Sequence, residues 1–200
     1  MSEKRKYKIT SIRCPWNRKL HRIKALRNIP SQAVRRGDLG GYVQGPWNLS
    51  QEDDCWVSGD AVVMENARVM GTTLVSDNAI VRGKALVLGG IIDAHARVEG
   101  RAVVSDYAII TDNAVVCGDR TLVSDKAFID GNAVVSGRAE VSGKARVGGH
   151  VWVCKNAIVK GEVNIEGYRR IGKNTILGAD HPQLQVDMSQ FQPKQLTFDF

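Results

Sequence analysis

A six-residue repeat runs through the chain from residue 54 to residue 179, and it constrains the fold more than any other feature of the sequence. Successive units read DCWVSG, DAVVME, NARVMG and, further on, NAVVSG, RAEVSG and KARVGG. The fourth place of every unit is Val, Ile or Leu, and the second is most often Ala. The unit at 90–94 is one residue short and the unit at 119–125 is one residue long, so 126 residues make 21 units.

Apolar residues two places apart do not fit an amphipathic helix, in which one face recurs at spacings of three and four. They fit a short strand whose second and fourth side chains point one way and whose third points the other. Gly, Asp and Asn at the sixth and first places are typical of tight corners. The repeat therefore predicts an all-β fold, a parallel β-solenoid. With three units per coil, it has seven triangular coils stacked at about 4.8 Å, roughly 30 Å tall.

The units resemble those of the hexapeptide-repeat left-handed β-helix superfamily, the trimeric LpxA-like proteins. In that superfamily a small residue follows an aliphatic residue four places later, as Ala61 follows Val57 and Ala67 follows Val63. The resemblance covers about 126 of 200 residues, and it implies a left-handed coil and self-association. The corner glycines, such as Gly59, stand two places after the aliphatic residue rather than one, which departs from the superfamily's pattern.

The segment before the repeat resembles the corresponding segment of the YdcK-like branch of this superfamily, which occurs in bacteria and phages. The matching elements are YKI at 7–9, LHRIKAL at 20–26, GDLGGYV at 37–43, NLS at 48–50 and CWV at 55–57. Residues 7–12 and 20–26 are predicted strands on either side of a turn. We expect residues 1–53 to form a small β-cap on the first coil, residues 54–179 the β-helix, and residues 180–200 a tail.

The predicted cap is strongly basic. Residues 1–36 hold twelve Lys or Arg and one acid, so this segment carries +11 and, against +7 for the whole chain, the rest carries −4. Such a charge is typical of a solvated cap surface, or of a surface that contacts nucleic-acid phosphates, an acidic protein or a lipid surface. No groove-reading or RNA-stacking motif accompanies it, which favours the solvated cap, and the binding interpretations stay open. The candidate binding residues are Arg13, Arg18, Lys19, Arg22, Lys24, Arg27, Arg35 and Arg36.

The outward third places predict an interaction surface on one face of the solenoid. Read at one coil per step, they are Trp56, Leu74, Ile91, Ile109 and Phe128, followed by Arg146 and Asn164. Five stacked apolar side chains need a cover, which is a second protomer, the N-terminal segment or the tail. We expect a homo-oligomer, which the superfamily resemblance also implies.

Two histidines, His95 and His150, open units on one inferred corner, three coils and about 14 Å apart. Acyltransferases of the superfamily place a general-base His in a cleft between protomers beneath an ejected loop. The resemblance therefore implies an alternative function, an acyltransferase with acetyl-CoA or a similar donor, but this sequence has no ejected loop. The other interpretation is a pair of solvated turn residues. The His-x4-His pair of the carbonic anhydrases of this fold is absent, so no metal is expected.

The last six residues, QLTFDF, resemble the bacterial sliding-clamp-binding peptide, Q-L-x-L-x-(L/F), with Phe198 where Leu is usual. In such a peptide the amide of Gln195 and the apolar anchors Leu196, Phe198 and Phe200 enter a preformed pocket. A tail that folds back on the last coil or on the apolar row is the alternative.

The sequence has no membrane-spanning apolar run and no secretory signal, so we expect a cytoplasmic protein without a membrane partner. The leading hypothesis is a non-catalytic scaffold or binding protein of bacterial or phage type that needs no cofactor. For a phage protein, its partner would be a host replication or defence factor. The alternative is the acyltransferase described above.

Overall fold

The structure is a computed structural model and describes residues 5–178. From residue 56 onward, strands of two residues recur about every six residues. Three longer strands come first, β1 (Tyr7–Arg13), β2 (His21–Ala25) and β3 (Leu39–Val43), with a 3-10 turn at Pro30–Gln32 between β2 and β3. No helix of the described residues is long and apolar enough to cross a bilayer. The strands that follow are β4 Trp56–Val57, β5 Val62–Val63, β6 Arg68–Val69, β7 Leu74–Val75, β8 Ile80–Val81, β9 Leu86–Val87, β10 Ile91–Ile92, β11 Arg97–Val98, β12 Val103–Val104, β13 Ile109–Ile110, β14 Val115–Val116, β15 Leu122–Val123, β16 Phe128–Ile129, β17 Val134–Val135, β18 Glu140–Val141, β19 Arg146–Val147, β20 Trp152–Val153, β21 Ile158–Val159, β22 Asn164–Ile165, β23 Arg170–Ile171 and β24 Ile176–Leu177.

Each short strand between the two ends of the solenoid pairs in parallel with the strands three before and three after it, so the chain closes a coil every three strands. Face 1 consists of β4, β7, β10, β13, β16, β19 and β22. Face 2 consists of β5, β8, β11, β14, β17, β20 and β23, and face 3 of β6, β9, β12, β15, β18, β21 and β24. Seven complete coils result, with β3 as one more parallel strand above face 2, and the predicted parallel β-helix is confirmed.

The repeat explains both the strands and the corners. In each strand after β5 the first side chain points outward and the second inward, and inward residues such as Val63 and Ala61 are 0 % exposed. Each corner requires a residue in the left-handed region, with φ +61° at Gly59 and +57° at Asp77. Gly, Asn and Asp tolerate this conformation best, which is why they dominate the corner places.

The two irregular units are absorbed at corners, so the faces stay in register. In the short unit Gly90 takes the inward place that Ala fills elsewhere, and its carbonyl accepts a hydrogen bond from the Leu74 amide at 3.0 Å. The long unit adds a residue to the corner before Thr121, whose hydroxyl donates to the Cys117 carbonyl at 2.5 Å. Beyond it, Leu122 still pairs directly with Val103.

The N-terminal cap continues face 2 rather than forming a separate layer. The predicted hairpin is present, since β1 and β2 pair antiparallel, β2 pairs antiparallel with β3, and β3 pairs in parallel with β5. Face 2 thereby becomes a ten-stranded sheet. The cap supplies hydrogen-bond partners to the first coil, whose strand edge is otherwise unpaired.

Candidate interaction surfaces

The outward row predicted from the third places lies on face 1, with its members in direct register. Trp56 differs from the rest, because it is 1 % exposed and its ring lies against β3 of the cap, where a Cβ atom at Gly40 would stand 2.7 Å from the ring. The N-terminal segment thus covers the top of the row. The open part, called here the face 1 row, consists of four half-buried side chains, Leu74, Ile91, Ile109 and Phe128.

A charged network ends the face 1 row. The guanidinium of Arg146 lies over the Phe128 ring, 5.5 Å from its centre. It also contacts the Oδ2 atom of Asp130 at 2.5 Å and the Glu166 carboxylate at 3.2 Å. Asn164 follows on the next coil. The apolar surface is therefore bounded by the cap at one end and by charge at the other.

The other two faces also carry outward apolar residues, which the sequence reasoning missed. On face 3 the half-buried Leu86, Val103 and Leu122 stack in register. On face 2 Arg97 interrupts the apolar row, and farther along that row the Arg170 guanidinium lies 4.6 Å from the centre of the Trp152 ring. Both rows can be read from the sequence, because they are the third places of the units at coil spacing on the other two faces.

The candidate basic residues of the cap do not form one group. The Arg22 side chain is already bound within the protein, because its guanidinium donates to the Tyr42 hydroxyl at 2.8 Å and to the Asp60 carboxylate at 2.6 Å. Arg27 contacts the Asp54 carboxylate at 3.7 Å. Lys24 is half-buried on β2. The exposed members lie at two places, Arg13, Arg18 and Lys19 at the β1–β2 turn and Arg35 and Arg36 before β3.

The turn between β1 and β2, together with the last residue of β1, is called here the hairpin tip and comprises residues 13–19. Arg13, at the end of β1, donates from its guanidinium to the Arg18 carbonyl at 3.1 Å. Arg13, Cys14, Pro15 and Arg18 line an open depression of about 370 Å³. Beside it the Trp16 side chain is 61 % exposed. The tip therefore presents two guanidinium groups and an aromatic ring to solvent.

His95 and His150 lie on one corner column, three coils apart, as the sequence predicts. The His95 amide bonds to the Asp112 carbonyl, and the His150 amide to the Gly167 carbonyl. Both side chains are exposed, and the His150 ring stacks on Tyr168 with ring centres 4.4 Å apart. His95 lies in a shallow depression of about 350 Å³ on the surface of the corner. The two imidazoles do not converge on a common site.

The corner that joins face 1 to face 2, called here the acidic edge, carries these histidines among carboxylates. Its residues are 58–60, 76–78, 93–95, 111–113, 130–132, 148–150 and 166–168. These described residues include no Lys or Arg and six acids, Asp60, Asp77, Asp93, Asp112, Asp130 and Glu166. Such an edge repels an anionic ligand such as coenzyme A.

The corner that joins face 2 to face 3, called here the basic edge, has the opposite charge. Its residues are 64–66, 82–84, 99–101, 117–120, 136–138, 154–156 and 172–174. It includes three acids, Glu65, Glu99 and Asp119, and seven cations, Arg82, Lys84, Arg101, Arg120, Arg138, Lys155 and Lys173. Burial raises the pKa of Glu99, but hydrogen bonds and charge from Arg82 and Arg97 outweigh burial and hold that pKa below its ordinary value. The third corner, with Lys126, Lys144 and Lys160, has three acids and three bases.

Two further predictions concern metals and the tail. Within residues 5–178, no three His, Cys, Asp or Glu side chains are grouped as metal ligands would be. The peptide residues Gln195, Leu196, Phe198 and Phe200 lie outside the described residues, so the tail hypothesis stays a prediction.

Comparison of this chain with protein-family models and with curated proteins gives no match in either case. The assignment to a YdcK-like branch therefore rests on the sequence motifs alone. What the structure itself shows is a parallel β-helix, consistent with the fold of hexapeptide-repeat proteins.

Proposed function

We propose that this protein is a non-catalytic scaffold or binding protein of the YdcK-like branch, of bacterial or phage type. It self-associates through the face 1 row and presents its basic cap and its C-terminal peptide to a macromolecular partner in the cytoplasm. For a phage protein, a host replication or defence factor is the partner class that this role suggests. The motifs at 7–9, 20–26 and 37–43 support the branch.

The observation that carries the proposal is the face 1 row itself. Leu74, Ile91, Ile109 and Phe128 form a continuous apolar strip across four successive coils. Such a strip fits a copy of itself, because identical rows present the same spacing of about 4.8 Å. Arg146 and the cap bound the strip and fix its length.

The acyltransferase alternative receives less support from the site. Its candidate bases, His95 and His150, are exposed on the acidic edge, and His150 is stacked on Tyr168. A donor with several phosphates would meet the exposed carboxylates of Asp77 and Asp112 there, although arginines pair with three of the six acids of this edge. If the alternative holds, coenzyme A raises the melting temperature of the protein, and replacement of the histidine that acts as base, His95→Ala or His150→Ala, abolishes acyl transfer.

The self-association is tested with a charge placed in the row and a matched charge outside it. Ile109→Glu places a carboxylate in the middle of the face 1 row. Val115→Glu places one on the next strand, on face 2 and beside Arg97, where it meets a cation. Both residues are half-buried and outward. We expect sedimentation velocity to show an oligomer for wild type and for Val115→Glu, and a monomer for Ile109→Glu with an unchanged circular dichroism spectrum.

A monomeric wild-type protein at all accessible concentrations contradicts the proposal. The proposal is also contradicted if both substitutions dissociate the oligomer, or if neither does. The peptide part is tested separately by capture of purified bacterial sliding clamp with the full-length chain, a chain lacking residues 195–200 and a chain with those residues scrambled. Clamp recovery that is equal for all three chains removes the clamp from the proposal.

A further inference from the structure

We propose that the basic edge, together with the hairpin tip and Trp47, binds single-stranded nucleic acid. This inference rests on the proposed binding role and names the chemistry of its partner. Three observations support it: the separation of charge between two edges of one prism, the alignment of the hairpin tip with the basic edge, and two exposed tryptophans at the cap end of that edge.

The hairpin tip and the basic edge lie on the same side of the molecule. Arg13 pairs with His21, and His21 pairs with Val43, so the tip stands at the Val43 end of the face 2 sheet. Val43 is followed by the corner that leads from face 2 to face 3. The tip therefore continues the column of the basic edge. From β1 to β23 this column spans ten strands, or about 43 Å at about 4.8 Å per strand.

The cations of the basic edge form a ladder. The amides of Lys84, Arg101, Arg120 and Arg138 bond to the next coil's corner, which places the four residues on successive coils. All four are exposed. Asp119 lies 3.7 Å from Arg101 and offsets part of its charge. A straight row of cations on a rigid scaffold suits a chain of phosphates, which gains affinity by releasing condensed counterions.

Aromatic rings lie at the cap end of the same column. Trp47 is 50 % exposed, its ring lies against Gly45, and its Nε1 atom donates to the carbonyl of Glu65 on the basic edge at 2.8 Å. Trp16 is 61 % exposed at the hairpin tip. Exposed rings beside a cationic track are the usual platform for unpaired bases, because every base has a face that stacks. The depression between Arg13 and Arg18 suits one phosphate.

These features favour a single strand over a duplex. Duplex readers insert a helix or a β-ribbon into a groove, whereas this edge is a single narrow ridge. Stacking on Trp16 and Trp47 requires bases that are free of their partners. The acidic edge of a second copy is the competing occupant, since its charge is complementary.

The test is fluorescence anisotropy of a labelled oligothymidylate of about 20 nucleotides, titrated with the full-length protein across a range of salt concentrations. The edge variant is Lys84→Gln/Arg120→Gln/Arg138→Gln. The control, Lys126→Gln/Lys144→Gln/Lys160→Gln on the third corner, removes the same net charge. We expect the edge variant to reduce the slope of log K against log salt by about 2, since each phosphate contact on a single strand contributes about 0.7. The control should change the slope little. Trp16→Ala should weaken binding about tenfold with an unchanged slope.

Equal losses in the edge variant and the control overturn the inference, since binding would then follow net charge alone. Equal affinity for duplex, with no dependence on Trp16, also overturns it. If no oligonucleotide binds and the edge variant instead lowers self-association, the acidic edge of a second copy occupies the basic edge. If the protein binds no oligonucleotide but forms an oligomer that Ile109→Glu dissociates, this inference is wrong and the proposed self-association stands. If the wild-type protein is monomeric but binds the oligonucleotide, the self-association is wrong and this inference stands.

Discussion

The Nζ atom of Lys6 lies 3.2 Å from the Sγ atom of Cys55, in a site where both residues are 0 % exposed. The same nitrogen donates to the carbonyl oxygens of Asp53 at 2.6 Å and of Cys55 at 2.7 Å. Burial lowers the pKa of the lysine and raises the pKa of the thiol. The contact fastens the start of β1 to the junction where the first coil begins.

This buried lysine makes stability depend on pH. Because the pKa of Lys6 in the folded protein lies below 10.5, the unfolded chain binds more protons between those two values, and the free energy of unfolding rises with pH there. Lys6→Met removes this contribution, worth about 1.4 kcal/mol for each unit of pKa. In urea unfolding between pH 7 and pH 10.5, we expect wild type to gain stability relative to the variant as pH rises. Both proteins keep Cys55, so a difference that is constant with pH would contradict the buried charge.

Tyr7, the neighbour of Lys6, gives a second pH signature with the opposite sign. Its hydroxyl donates to the Leu49 carbonyl at 2.7 Å, and burial raises its pKa to about 12. Tyr7→Phe should cost about 1 kcal/mol at neutral pH through the lost hydrogen bond. That cost should shrink between pH 10 and pH 12, where the unfolded chain ionises first and wild-type stability is lost.

Ultraviolet absorbance titration checks the assignment of this pKa. Tyr7→Phe should remove a tyrosine ionisation near pH 12, whereas Tyr107→Phe, a change at a side chain that is 73 % exposed, should leave it in place. Loss of the same ionisation step in both variants would contradict the burial of Tyr7.

The solenoid could be predicted from sequence because a few places of each six-residue unit determine its strand and its corner. One inward Val, Ile or Leu in every unit fixes both the strand and the face on which its neighbour lies. This is why Leu74, Ile91 and Ile109 fall in the register expected. The irregular units at 90–94 and 119–125 did not disturb that register, because corners absorb a residue more easily than strands do.

The contacts of the cap could not be predicted in the same way. Lys6 stands among other cations in the sequence, and only the fold shows that, of the cations in residues 5–178, it is the one enclosed with Cys55. Trp56 occupies an outward place, yet the cap encloses it. The charge of the two edges can be predicted from the sequence. The corner places at coil spacing put Lys84, Arg101 and Arg138 on one column.

The short unit provides a test of coil packing. Gly90 and Gly167 have nearly the same φ, +83° and +84°. A Cβ atom at Gly90 would lie 2.1 Å from the Ala108 carbonyl oxygen, whereas a Cβ at Gly167 meets nothing within 4 Å. Gly167→Ala should therefore cost only the left-handed strain, about 1–2 kcal/mol. Gly90→Ala should cost at least about 2 kcal/mol more, from overpacking. Equal losses in urea unfolding would contradict the contact between coils.

The ion pair at the end of the face 1 row should couple strongly to stability. The Asp130 side chain is 11 % exposed, and its Oδ2 atom meets the Arg146 guanidinium at 2.5 Å. Its Oδ1 atom is buried without a hydrogen-bond partner among the described residues. Removal of Arg146 leaves a nearly buried carboxylate without its closest cation, which is costly. Arg146→Met should therefore destabilise wild type much more than it destabilises an Asp130→Ser background, with a coupling of about 1–3 kcal/mol.

Serine is a fair replacement for Asp130, because Ser58 and Ser76 hold the same place in earlier coils. The control is the same double-mutant cycle on Lys144 and Glu162, an ion pair between adjacent coils that is largely exposed to solvent. Water and salt screen that pair, so we expect no measurable coupling from it. Urea unfolding of the four proteins in each cycle gives both couplings. If the two cycles agree, the buried carboxylate adds nothing to the strength of the Asp130–Arg146 pair, and the end of the face 1 row is held by packing of Arg146 on Phe128 instead.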